Sequence, residues 1–166
     1  MTGWRALSSL ALVVVLAAPA AGRDEDFLRP CRRADLIGFW QVIRFGFAIG
    51  AAVDRADPAY QLHQRYVFNA DATTMYATSS VPLTPEEDQA LRLAPATSTW
   101  ALDGDGRLLR PAEDAPRVSD CLVVVRALRD PRSEVPGLPG DVLLTDQDET
   151  GRPVTRRLLR KVPAGE

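Results

Sequence analysis

Few side chains in this 166-residue sequence are equipped for chemistry, and their spacing limits what they could do. There is one histidine, His63, at the entry to a strand-like segment. Proton shuttles and metal sites that draw on several imidazoles therefore lack their material. The acidic pairs Glu86/Glu87 and Asp103/Asp105 are too close in sequence for glycoside chemistry, whose two carboxylates face each other across a bond about 5–10 Å apart. Glu86 and Glu87 suit the positive end of a helix dipole, and Asp103-Gly104-Asp105-Gly106 reads as a turn. Asp146-x-Asp148-x-Thr150-Gly151 matches the opening of a calcium loop, but the twelfth position, where a bidentate Glu belongs, is Arg157. A cation there repels calcium, and the segment reads as a hairpin. The sequence has no Gly-x-Ser-x-Gly elbow, Gly-rich phosphate loop or His-Glu-x-x-His. No catalytic set can be assembled; the expectation is a non-enzyme with no metal and no cofactor.

The two cysteines, Cys31 and Cys121, take their meaning from the N-terminus. Residues 1–22, MTGWRALSSLALVVVLAAPAAG, place Arg5 ahead of an apolar run at 10–18 and end in small residues. That order is a secretory signal peptide. The run falls well short of the ~20 apolar residues of a spanning helix, so no stable membrane span is expected in the mature chain. The protein is expected to be exported, periplasmic or secreted, with Cys31 and Cys121 paired in an oxidising compartment. A formal net charge of -2 gives no reason to expect nucleic acid as a partner. Hydrophobic residues at 46% and charged residues at 25% match an ordinary globular chain, so 23–166 is expected to form a single domain.

The elements that would position any site are mostly strands. Residues 36–47, LIGFWQVIRFGF, carry the strongest signal, aromatic and β-branched. Strict alternation puts Phe39, Gln41, Ile43 and Phe45 on one face and Gly38, Trp40, Val42 and Arg44 on the other. Further strands are predicted at 64–69, 73–79, 97–102, 107–110, 121–128, 141–145 and 153–162. Thr84-Pro85-Glu86-Glu87 has the capping-box pattern with Pro at the first helical position. It predicts a short helix through Leu93, with Ala90, Leu91 and Leu93 as apolar contacts. The last strand carries Arg152, Arg156, Arg157, Arg160 and Lys161, and reads as one with a solvated face whose charges discourage edge pairing. The fold class is all-β and antiparallel, an eight-stranded barrel, a sandwich or a strongly curved sheet with one short helix.

Trp40, Tyr66, Phe68, Tyr76 and Trp100 all fall in these strands. An eight-stranded barrel has room for packed side chains or one small ligand, so the aromatics read either as a ligand lining or as plain core. The stretch 45–53 is more apolar than a surface connection should be. It reads as a lid over an open barrel end or as a plug closing the core.

Gly38-Phe39-Trp40 opens the first long strand, followed by the turn at 66–73, YVFNADAT, and an Arg-rich last strand. In these features the chain resembles the lipocalins and lipocalin-like proteins of bacteria. The resemblance implies a structural role for Gly38 and for Trp40, packed at the closed barrel end against an Arg of the last strand: Arg156, Arg157 or, by preference, Arg160. It also implies a small apolar ligand in the barrel, lined by Tyr66, Phe68, Tyr76 and Trp100 and covered by Phe47, Ile49 and Val53. In size class, compartment and Gly-x-Trp-like opening the chain also resembles small exported bacterial inhibitors of metalloproteases, which are eight-stranded barrels with one disulfide. That resemblance implies a protein partner, engaged through residues 23–30, RDEDFLRP; an envelope-associated role is the related alternative.

Overall fold

The structure, a computed structural model, describes residues 27–54, 56–111, 116–131 and 133–163. The signal peptide expected at 1–22 lies outside the described residues, as do residues 23–26. The described chain opens with a short strand, β1 (Leu28–Pro30), and one helical turn, α1 (Arg33–Leu36). A meander of β2 (Gly38–Phe47), β3 (His63–Phe68) and β4 (Thr73–Ser79) follows, then helix α2 (Pro85–Leu93). After it come β5 (Ser98–Thr99), β6 (Ala101–Leu102), β7 (Arg107–Arg110), β8 (Arg117–Val124), β9 (Val142–Gln147) and β10 (Pro153–Lys161). All pairings are antiparallel. The sheet order is β5-β4-β3-β2-β10-β9-β8-β7-β6. The last strand therefore pairs with the first long one, and the sheet curls into a nearly closed barrel.

The expected count of eight strands is corrected to ten, for two reasons. Residues 28–30 add β1, which pairs with Leu122–Val124 beyond the end of β7. The predicted strand at 97–102 is split at Trp100: β5 pairs with β4, and β6 pairs with β7. These two fragments are the opposite ends of the sheet. A single residue thus bridges the seam, anchored by its backbone N–H to Ala72 O at 2.8 Å and its indole N–H to Asn69 O at 3.3 Å.

The long first strand does not keep strict alternation. Leu158 pairs with Arg44 and Leu159 with Val42, leaving Ile43 without a partner of its own in β10. This bulge reverses the facing of the residues after it. Trp40 and Val42 enter the main core beside Leu36, Leu144 and Leu159, and Phe45, expected on the opposite face from Trp40, packs against that same cluster. A second, smaller cluster of Phe39, Val67 and Met75 lies outside the barrel, where Leu91 of α2 packs on it. The capping box forms as the sequence predicts, with Thr84 Oγ1 accepting from Glu87 N–H at 3.2 Å and Glu87 Oε2 accepting from Thr84 N–H at 2.7 Å. Leu93 is 78% exposed and Ala90 also faces solvent, so of the three expected apolar contacts the helix uses Leu91. Arg65, on the outer face of β3, joins Asp88 of α2 at 2.8 Å.

The final strand is not an edge: β10 lies between β9 and β2. Its charges are sorted by facing instead, with Arg157 buried and Arg156 exposed. At the closed end Trp40 donates its indole N–H to Leu36 O at 2.6 Å. The cation over its ring is Lys161, 5.5 Å from the centroid, rather than the favoured Arg160. Arg160 is held by Asp141 at 2.7 Å and Pro136 O at 3.0 Å. Lys161 pairs with Trp40 in register, one residue past Arg160, which directs their side chains to opposite faces. Gly38 has φ +140, a conformation that L side chains rarely adopt, and the Lys161 side chain fills the space a Cβ would need. Glycine is required there.

Cys31 and Cys121 are joined across a sequence separation of 90, tying the N-terminal segment to β8. Closing a loop of that size removes roughly 4–5 kcal/mol of denatured-state entropy in the chain-entropy model. Cys31→Ser/Cys121→Ser is expected to lower the unfolding free energy by about that amount in denaturant titration. A variant as stable as the parent would show that the bond constrains nothing the sheet does not already fix.

Candidate functional site

The split at Trp100 has a consequence on one side of the barrel. β5 pairs with β4 only at Thr73 and Thr74, and β6 meets β7 only at Leu108 and Leu109. Past those residues no described strand lies between the edges of β4 and β7. The gap opens into a cavity of about 1240 Å³ that runs from exposed residues at the rim to Tyr66, Asp146 and Arg157 inside. Tyr76 and Thr97 stand on one lip, Arg110 and Pro111 on the other. Tyr66 and Tyr76 are neighbours across β3 and β4, with ring centroids 4.6 Å apart, and form an aromatic wall.

The opposite wall is charged. Asp146 of β9 points inward, opposite Thr155 of β10 and Ser119 of β8. Its carboxylate accepts from Arg110 Nη2 at 3.0 Å, Ser119 Oγ at 2.5 Å, Thr155 Oγ1 at 2.9 Å and Arg157 Nη1. Each hydroxyl accepts in turn from a guanidinium, Ser119 from Arg110 at 2.9 Å and Thr155 from Arg157 at 2.7 Å. Arg157 is further bound by Gln64 Oε1 at 2.7 Å and Ala59 O at 3.3 Å. Its place as the twelfth residue counted from Asp146 is thus explained: the arginine supplies, covalently, the cation that the acidic turn would otherwise seek. Burial alone would raise the Asp146 pKa; Arg110, Arg157 and the two hydroxyls outweigh it and hold the carboxyl below its ordinary value of 3.8.

Arg110 differs from Arg157. Its Nη2 is engaged, but its Nε is buried with no hydrogen-bond partner, and its guanidinium lies 5.6 Å from the Tyr66 ring centroid. Two guanidiniums share one carboxylate, so the cluster carries an excess positive charge at the cavity wall. Burial pushes the Tyr76 phenol well above its usual range. It stays protonated and donates to Ala59 O at 3.0 Å.

Of the residues expected to line a ligand, Tyr66 and Tyr76 stand in the cavity wall. Phe68 and Trp100 are buried in the main core, in edge-to-face contact at 5.5 Å. Phe47 packs against Phe45 and Tyr60 at 5.1 and 5.4 Å, Val53 is half-buried and Ile49 is fully exposed. None of these five is among the cavity-lining residues. His63 is half-buried and pairs with Ser79 at the other end of β3 from Phe68. Sequence reasoning missed Arg110, Asp146, Ser119 and Thr155. The available signal was Thr155 and Arg157 alternating on a strand directly after an acidic turn, which places both on one face.

Among the described residues no group of three or more His, Cys, Asp or Glu could hold a metal ion, and no helix is long and apolar enough to cross a membrane. Compared with protein-family models, curated proteins and solved structures, the chain matches none. The architecture, an antiparallel and nearly closed all-β barrel, is compatible with a lipocalin-like fold.

Asp146→Asn leaves two inward guanidiniums without a counter-charge and is expected to cost about 3–5 kcal/mol in denaturant unfolding. Acid acts on the same group. Because its pKa is lowered on folding, its contribution is complete above the unfolded value of 3.8 and drains away as pH falls through the folded value. The parent should therefore lose stability more steeply than Asp146→Asn below ~pH 4. Parallel curves for the two proteins would contradict the assignment.

Proposed function

We propose that the protein is an exported, non-catalytic binding protein of lipocalin-like type, periplasmic or secreted, that takes a small molecule into the cavity at the barrel seam. The observation that carries this reading is the cavity itself. At about 1240 Å³ it exceeds the roughly 300–1,000 Å³ common for small-molecule sites, and an aromatic wall faces a few converging polar groups. The apolar ligand expected from the sequence becomes one whose apolar body lies against Tyr66 and Tyr76. The disulfide is compatible with an oxidising, exported location.

The inhibitor alternative depends on a free N-terminal segment. Residues 28–30 of that segment are strand β1, paired along β8 and followed at once by the Cys31 disulfide. That pairing favours the small-molecule reading. Native mass spectrometry of the protein purified from its own host is expected to show a non-covalent adduct that disappears when Tyr76→Trp narrows the cavity mouth. The bare polypeptide mass, with no thermal stabilisation by any member of a small-molecule panel, would overturn the reading.

A further inference from the structure

We infer that the free edge of β4 is a self-association surface: two copies of this chain pair their β4 strands antiparallel across a two-fold axis at Ala77. This goes beyond the proposed ligand and does not depend on it. The backbone points to it. Asn69 N–H donates to Thr73 O at 2.9 Å, which opens the β3–β4 ladder on a bonded pair. In an antiparallel ladder bonded and non-bonded pairs alternate. Met75, Ala77 and Ser79 therefore direct their N–H and C=O groups at Val67, Arg65 and His63, and Thr74, Tyr76 and Thr78 turn theirs the other way. Thr74 shows that direction: its carbonyl accepts from Thr97 N–H at 3.3 Å, and the residue pairs with Ser98 of β5. Past Thr74 no described strand pairs with this side of β4, so Tyr76 and Thr78 present open backbone donors and acceptors.

A second copy is the occupant this edge fits. β5 holds β4 as far as Thr74 and the strand ends at Ser79, so the open window runs from Met75 to Ser79 and is centred on Ala77. A two-fold axis there sets Tyr76 of each copy against Thr78 of the other, each pair exchanging both hydrogen bonds. Ala77 meets its own counterpart in the non-bonded pair between them, where Cα atoms approach to about 4.5 Å and a small side chain suits the contact. Such an interface joins the same patch of both copies, so a charge in the window would face its own sign. The sequence from Thr73 to Thr84 carries none. Native sheet edges are commonly blunted by charge, proline or a bulge, and other edges of this sheet are: β1 offers Arg29 and Pro30, and β7 runs from Arg110 into Pro111. β4 has no proline, and its register with β3 is unbroken.

Sedimentation velocity on the protein purified from its own host is expected to show a reversible equilibrium, the mean mass rising from one chain toward two with concentration. Amide hydrogen exchange locates the contact. The Tyr76 and Thr78 N–H groups gain about tenfold protection once the concentration is about ten times the dissociation constant; those of Met75 and Ala77, already bonded to β3, gain far less. Ala77→Glu and Ala77→Lys each place like charges at the axis and abolish the dimer, and an equimolar mixture of the two restores it as a mixed pair. Thr78→Pro removes an outward N–H that β3 does not use and also leaves a monomer. A single chain at every concentration, or a dimer in which Tyr76 and Thr78 exchange as fast as in the monomer, would overturn the inference and leave the cavity reading untouched. So would protection of both amides in the dilute monomer, which would mean that the chain covers its own edge. Protection gained only on adding host extract would assign the edge to a different chain and overturn the inference as well. Should the Ala77 variants fail to fold, mass and exchange on the unmodified protein decide the matter alone.

Discussion

Two guanidiniums sharing one carboxylate inside a β-barrel set the terms for everything around them. Charges taken out of water are tolerated only when their remaining donors and acceptors are met. Here the partners come from five strands: Gln64 of β3, Arg110 of β7, Ser119 of β8, Asp146 of β9, and Thr155 and Arg157 of β10. A slip of one residue in any of these pairings would turn a partner to the outer face. The cluster therefore fixes register as well as charge. It also divides the interior. Trp40, Leu36, Leu108, Leu144 and Leu159 fill an apolar core, and the polar half of the barrel holds the cavity.

Among the described residues one stave of the nearly closed barrel is incomplete. In the sheet, the stretch from Ser98 to Leu102 gives its first residues to β4 and its last to β7, with Trp100 between them. Trp100 can bridge because its ring is buried against Phe68 and its two N–H groups are bound to the turn after β3. Beyond that point no described strand joins β4 to β7, and the charged cluster faces the cavity.

Much of this fold is legible in the sequence, and the gaps have physical causes. β-branched and aromatic runs locate β2, β3, β4, β9 and β10, Thr84 and Glu87 announce the helix, and two cysteines behind an expected secretory signal announce the bond between them. The bulge at Ile43 is invisible to a rule of alternation, because it depends on how β10 meets β2. The loss of phase misplaces Phe45. The splitting of 97–102 is likewise decided by partners far away in sequence. For the candidate site, Tyr66 and Tyr76 could be named from their strands. The charged wall could not, since Asp146 looks like part of a turn and Arg157 like part of a solvated strand until β9 and β10 are laid side by side. Acidic and basic residues are mostly at the surface, and composition carries no mark of the few that face inward.

The account's central claim is that Asp146 is an ionised carboxylate shared by two guanidiniums inside the barrel. The side-chain carboxyl resonance of Asp146, followed by carbon-13 NMR through an acid titration, tests it most directly. The account predicts a midpoint below the ordinary carboxylate value of 3.8, because Arg110, Arg157 and the two hydroxyls outweigh the cost of burial. A midpoint at or above that value would contradict it.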